Sequence, residues 1–131
     1  TRDIINHVVK KREWFRPFAP VVLEEHYKDW FDFPIPSPYM LYTAPVKQSD
    51  KIPAVTHVDG SARFQTINEK TNPNYYRLVK AFYELTGVPV LLNTSMNGNG
   101  EPIVETPEEA NEFFNNSHLD MMVINGEVKS K

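Results

Sequence analysis

Apolar positions recur at two periods along this chain. Near the N-terminus Ile4, Ile5, Val8 and Val9 fall at helical spacing, which predicts a helix or its last turns over residues 2–10. Pro17 and Pro20 forbid a helix interior just after it, so "FAPVVL" reads as a short strand. "EEHYKDWF" suits a short helix. Pro34, Pro36 and Pro38 make "DFPIPSPYM" an extended loop. "YMLYTAPV" is strand-like and "KQSDKIP" is a polar loop. "AVTHV" and "ARFQTI" flank the turn "DGS" and predict a hairpin.

The middle of the chain carries the clearest helical pattern. In "NPNYYRLVKAFYELTG", Tyr75, Leu78, Val79, Phe82 and Leu85 share one predicted face, and Gly87 is placed to end the helix. "VPVLLN" is apolar on nearly every residue and predicts a buried strand. In "ETPEEANEFFNN" the N-cap Thr106, Pro107 behind it and Glu109 spell a capping box. "DMMVI" predicts a last strand closed by Asn125-Gly126. Strands outnumber helices and alternate with them irregularly. The expected fold class is therefore α/β or α+β, a mixed twisted sheet with flanking helices in one domain spanning residues 1–131.

Composition narrows the function classes. With 131 residues the chain is long enough for its own core. It has no cysteine, which removes disulfides, thiolate nucleophiles and cysteine metal sites and fits a reducing compartment such as the cytoplasm. A net charge of −3 argues against nucleic acid as a partner through bulk attraction. No apolar run approaches the ~20 residues of a membrane helix, so no membrane partner is expected. The N-terminus lacks the apolar stretch of a signal peptide. The chain starts without Met, directly in a predicted helix, and is expected to be a piece of a longer polypeptide.

Three clusters could carry chemistry. "KKREWFR" holds Lys10, Lys11, Arg12 and Arg16 beside Trp14 and Phe15. Guanidinium forks and ammonium point charges suit phosphate oxygens, while the plainer reading is a solvated basic helix end. "THVDGSARFQT" places His57, Asp59 and Arg63 around a tight turn; an ordinary hairpin with surface charges explains it equally. "LLNTSMNGNG" leaves an apolar strand and lays down Asn93, Thr94, Ser95, Met96 and Asn97 before two glycines. In an extended segment Asn93, Ser95 and Asn97 would share one side, and Gly98 and Gly100 would let backbone approach a ligand. A polar turn with local side-chain bonds is the alternative. The four histidines are scattered, so metal ligation by side chains is not expected, although a Mg2+ held by substrate phosphates would leave no such trace.

Taken together, "VKKREWFRPFAPVVLEE", "PYM", "HVDGSARFQT" and "TGVPVLLNTSMNGNGEPIVETPEEA" resemble, in this order, the C-terminal domain of the O-carbamoyltransferases of nodulation and antibiotic tailoring. The resemblance runs from about Asn6 to near the end of the chain. It implies a YrdC-like fold that binds ATP and carbamoyl phosphate with Mg2+, forms carbamoyladenylate and releases pyrophosphate. It also implies a larger N-terminal domain, which holds an iron site and transfers the carbamoyl group to an acceptor hydroxyl. By the same resemblance Lys10, Arg16 and Arg63 are the expected catalytic residues. Arg12, His57, Asn93 and Ser95 are the expected ATP and carbamoyl-phosphate contacts.

The family carries a Gly-Pro-Arg-Ala-Leu-Gly stretch upstream of the basic cluster, and this chain is expected to begin after it. The isolated chain is accordingly not expected to complete carbamoyl transfer. Where family members often show Phe after "NTS", this chain has Met96. Two other readings stand beside this one: an enzyme making threonylcarbamoyladenylate for tRNA modification, and a non-catalytic nucleotide-binding or interaction module.

Overall fold

In the computed structural model, which describes residues 1–131, the run "APVVL" forms strand β1, Ala19–Leu23, buried at every position. The other strands are β2 (Thr43–Pro45), β3 (Ser61–Arg63), β4 (Gln65–Ile67), β5 (Val90–Asn93), β6 (Met121–Ile124) and β7 (Glu127–Ser130). The α-helices are α1 (Arg2–Ile4), α2 (Tyr27–Trp30), α3 (Pro73–Thr86) and α4 (Pro107–Asn116). This is the mixed α/β composition that the alternating periods predict. Contacts divide the chain into two compact units, Pro17–Thr94 and a second made of Thr1–Arg16 with Ser95–Lys131.

Within the Pro17–Thr94 unit, β1 is the centre of a three-stranded sheet. It pairs in parallel with β4 and antiparallel with β5, with Val21 opposite both Gln65 and Leu91. A strand covered on both edges and both faces must be apolar throughout, and β1 is. The "VPVLLN" strand was expected to be the buried one, but β5 is an edge. Only Val90 in it is fully buried, and Leu91, Leu92 and Asn93 are half-buried. Val21, Leu23, Ile67, Tyr76 and Val79 form the core between sheet and α3.

Two further expectations in this unit fail. The hairpin of "AVTHV" with "ARFQTI" does not form. Pro53–Val55 is a short 3-10 turn, Val58 is 98% exposed, and β3 pairs instead with β2. "ARFQTI" is itself divided: β3 joins β2, and β4 joins β1, with Phe64 buried between them. Phe64 stacks on Phe31 at a ring separation of 4.8 Å and meets Phe33 edge-on at 5.8 Å. Burying that ring favours changing sheets over continuing one strand. On α3 the buried stripe is Tyr76 and Val79 with Tyr83 partly covered, whereas Leu78 and Leu85 lie exposed. The phenol of Tyr76 donates to Glu25 at 2.5 Å, and the buried face lies one position from the one that periodicity favours.

In the second unit, Thr106 and Glu109 close the predicted capping box at the start of α4. Ala110 and Phe114 from α4 pack on Met122 of β6, with Met96, Val104, Leu119 and Ile124 around them. β6 does not end the chain's pairing. Asn125 and Gly126 adopt φ of 51° and 82°, the left-handed pair of a tight hairpin turn, and β7 returns antiparallel along β6. At the N-terminus the predicted helix is present, but its second half, Ile5–Val9, is π-helical.

Candidate functional site

The basic segment owes its shape to Asn6, which is wholly buried. Its amide nitrogen donates to the carbonyls of Trp14 at 3.1 Å and Arg16 at 2.9 Å, and its amide oxygen accepts from Arg12 Nε at 2.8 Å. The backbone N–H of Arg12 returns to the Asn6 carbonyl at 2.9 Å. Lys11 takes φ of 49°, so the chain reverses just after the π-turn and folds "REWFR" back over Asn6. One asparagine thus satisfies backbone carbonyls that an irregular loop would leave unpaired. Burial pushes the Arg12 guanidinium below its ordinary value, Arg16 adds to that, and Glu13 opposes it. Arg16 itself pairs with Glu13 at 2.9 Å, both groups half exposed.

Lys10 is only 4% exposed, and no carboxylate pairs with it. Its ammonium donates to the Ser95 carbonyl at 2.6 Å, to Asn97 Oδ1 at 2.9 Å and to Ser95 Oγ at 3.3 Å. Ser95 Oγ donates to Asn97 Oδ1 at 2.6 Å, and Asn97 Nδ2 donates to the Glu101 carbonyl at 3.0 Å. Burial, then the nearby Arg12 charge, lowers the Lys10 pKa from its usual value. Downstream, the Gly98 N–H donates to Glu101 Oε2 at 2.9 Å, and a Cβ at position 98 would lie 2.5 Å from that oxygen. A side chain at position 98 would therefore displace this flexible carboxylate from the loop.

The Pro17–Thr94 unit holds a separate group. Asp59 accepts from the Ser61 hydroxyl at 2.6 Å and from the Ser61 N–H at 3.0 Å, which holds its carboxyl below the usual range. His57 Nδ1 lies 3.3 Å from the same hydroxyl, and the His57 N–H donates to the Ser61 carbonyl at 2.7 Å. These bonds define a tight turn leading into β3. Arg63, at the end of β3, is exposed and forms no ion pair. Asn93, the last residue of β5, donates its side-chain amide to Gln65 Oε1 at 2.8 Å.

The structure thus sorts the expected site residues. Lys10 and Ser95 meet directly, and Arg12 is organised beside them by Asn6. Arg16 is engaged by Glu13, His57 belongs to the Asp59–Ser61 turn, and Asn93 is held by Gln65. The alternation that would align Asn93, Ser95 and Asn97 stops at Asn93, where β5 ends. Sequence reasoning did not single out Asn6, Gln65 or the linking role of Asn97. A polar residue inside the apolar run "IINHVV" was the available signal for Asn6. No group of three His, Asp or Glu side chains is arranged to hold a metal ion, and no helix is long and apolar enough to cross a membrane.

A family model described as the carbamoyltransferase C-terminus matches residues 1–131. The nodulation protein NolNO of Sinorhizobium fredii is 46% identical over 94% of this chain and 19% of its own length. The nodulation protein NolO of Bradyrhizobium diazoefficiens is 44% identical over 94% of this chain and 23% of its own length. The 3'-hydroxymethylcephem-O-carbamoyltransferase of Amycolatopsis lactamdurans is 42% identical over 95% of this chain and 24% of its own length. The chain therefore spans about a quarter or less of the relatives it matches.

Proposed function

The chain belongs to the carbamoyltransferase C-terminus family, and from that premise we propose that it is the carbamoyladenylate-forming part of an O-carbamoyltransferase. In this reading it binds ATP and carbamoyl phosphate, and the remaining, N-terminal part of a larger polypeptide transfers the carbamoyl group to an acceptor hydroxyl. A YrdC-like fold belongs to the same proposal. The observation that carries it is the buried Lys10 ammonium, which has hydrogen-bond acceptors but no carboxylate. A cation taken out of water without a counter-charge is costly and is stabilised by an anion. Polyphosphate and acyl-phosphate substrates supply one.

The chemistry asked of the residues is positioning and charge neutralisation rather than acid–base catalysis. Water first takes the phosphoryl group of carbamoyl phosphate: the bond between its phosphorus and the carbamoyl oxygen breaks, releasing inorganic phosphate and carbamate. A carbamate oxygen then attacks the α-phosphorus of ATP, the bond from that phosphorus to the α,β-bridging oxygen breaks, and pyrophosphate leaves. Lys10 and Arg16 would hold phosphate and carbamoyl oxygens, with Arg12 beside them. Arg63 would stabilise charge on the phosphoryl oxygens. Ser95 and Asn93 would contact the carbamoyl group and the nucleotide, and His57 would orient that contact. The donor set is cations, amides and hydroxyls, which fits a Mg2+ carried by the nucleotide's phosphates rather than by side chains. When bound, that ion offsets phosphate charge.

Calorimetric titration of MgATP tests this. Saturable binding weakened by about 1–3 kcal/mol in Arg63→Ala and in Ser95→Ala, the cost of a lost charged or buried hydrogen bond, is the expected result. A folded chain that binds neither MgATP nor carbamoyl phosphate would overturn the proposal.

A further inference from the structure

The hydroxyl proton of Ser95 is assigned by its neighbours. An ammonium has three donors and no acceptor, so the atom of Asn97 that faces Lys10 must be the amide oxygen. The opposite end agrees, because Asn97 Nδ2 points at the Glu101 carbonyl, which can only accept. An amide oxygen cannot donate. The 2.6 Å contact between Ser95 Oγ and Asn97 Oδ1 therefore has the serine as donor. Lys10 spends its remaining donors on Ser95, at 2.6 Å to the carbonyl and 3.3 Å to Oγ. The hydroxyl of Ser95 is left with lone pairs and no proton to give.

We propose that Asn97 is a specificity-determining positioning residue: it locks Ser95 Oγ as a hydrogen-bond acceptor, which selects an acyl phosphate bearing N–H over one bearing a methyl group. This rests on the proposal that the chain binds carbamoyl phosphate. The carbamoyl NH2 is a donor and finds a partner in a proton-locked serine. Acetyl phosphate has the same shape and charge but presents CH3, and would leave that lone pair unpaired. The same lock arranges the phosphate end. The 3.3 Å bond to Ser95 Oγ is the longest of the three, so it is the Lys10 hydrogen a substrate oxygen would take. Asn97 and the Ser95 carbonyl then keep the ammonium in place.

The test compares carbamoyl phosphate with acetyl phosphate by calorimetry, reading the ratio of their dissociation constants. The expected ratio in the unmodified chain is about five- to tenfold in favour of carbamoyl phosphate, the net size of one hydrogen bond to a hydroxyl that is exposed in the free chain and covered by the ligand. Asn97→Ala frees the serine proton and should bring the ratio to within about twofold. Ser95→Ala should do the same, and the double variant should lose no more than either alone. Asn97→Asp keeps an acceptor toward both Lys10 and Ser95 and should preserve the ratio, even though its charge weakens both ligands. A ratio kept in Asn97→Ala or Ser95→Ala, or lost in Asn97→Asp, overturns the inference while leaving the substrate reading standing. Should Asn97→Ala not fold, Ser95→Ala and Asn97→Asp still decide. If the folded, unmodified chain binds neither acyl phosphate, the substrate reading itself fails, and this inference with it.

Discussion

The Lys10 ammonium donates to the Ser95 carbonyl across 2.6 Å, joining two positions 85 residues apart in sequence. The contact ties the start of the basic cluster to the polar loop at Ser95. Replacing Lys10 by Met removes three hydrogen bonds and also removes a buried charge. These effects oppose one another, so folding stability should fall by only about 1 kcal/mol. MgATP affinity should fall at least tenfold. Denaturation and calorimetry on one preparation check both. An unchanged affinity would remove Lys10 from the site.

The lowered Lys10 pKa gives a pH dependence with a definite sign. The folded chain releases this proton at lower pH than the unfolded chain, so between the two values the unfolded state binds more protons. Stability from this group therefore rises with pH as the window below 10.5 is crossed. Anion binding behaves oppositely, because it needs the ammonium, and should weaken over the same window. Lys10→Met should show neither step. Parallel pH series of denaturation and MgATP titration measure this, and a step that survives in the variant belongs to another group.

Tyr76 titrates in the other direction. Its hydrogen bond to Glu25, helped by burial and by the carboxylate charges of Glu25 and Glu69, pushes the phenol up to about 12. The protonated phenol is the stabilised form. Its contribution is complete below pH 10 and is lost as pH rises toward 12. Tyr76→Phe should cost about 1 kcal/mol at neutral pH. The gap between variant and parent should close over that alkaline range, as followed by urea denaturation.

Arg63 and Phe64 are sequence neighbours with opposite roles. Arg63 is exposed and without an ion pair, so Arg63→Ala should change stability by less than about 0.5 kcal/mol while weakening MgATP binding. Phe64 is fully buried against Phe31, and Phe64→Ala should cost about 3–5 kcal/mol. Chemical denaturation of both variants separates the site from the core. A destabilised Arg63→Ala would mean that this side chain supports the fold.

Much of the local structure was legible along the chain, because its causes are local. The capping box of Thr106 and Glu109 needs only residues three apart, and Gly87 ends α3 with a left-handed φ of 74° as its position predicts. Pro17 and Pro20 confined "FAPVVL" to an extended path. Among the candidate residues, Ser95 and Asn97 stood out in a run of small polar groups after an apolar strand, and the structure joins these two to Lys10 by hydrogen bonds. The exposed α3 positions Leu78 and Leu85 were misread, because periodicity gives a face but not the neighbour it turns toward.

By itself the sequence determined the two long helices α3 and α4, the extended paths of β1, β5 and β6, the absence of thiol chemistry, and the order of motifs that marks the carbamoyltransferase C-terminus family. Those follow from residue chemistry and short-range sterics. Only the tertiary structure decided that β3 leaves the expected hairpin for β2, that β1 rather than β5 is the covered central strand, and that Asn6 folds the basic loop. It also decided that Asn97, and not Asn93, is the partner of Lys10 and Ser95. Each of these depends on which distant group satisfies a buried donor, acceptor or ring, and no spacing along the chain encodes that choice.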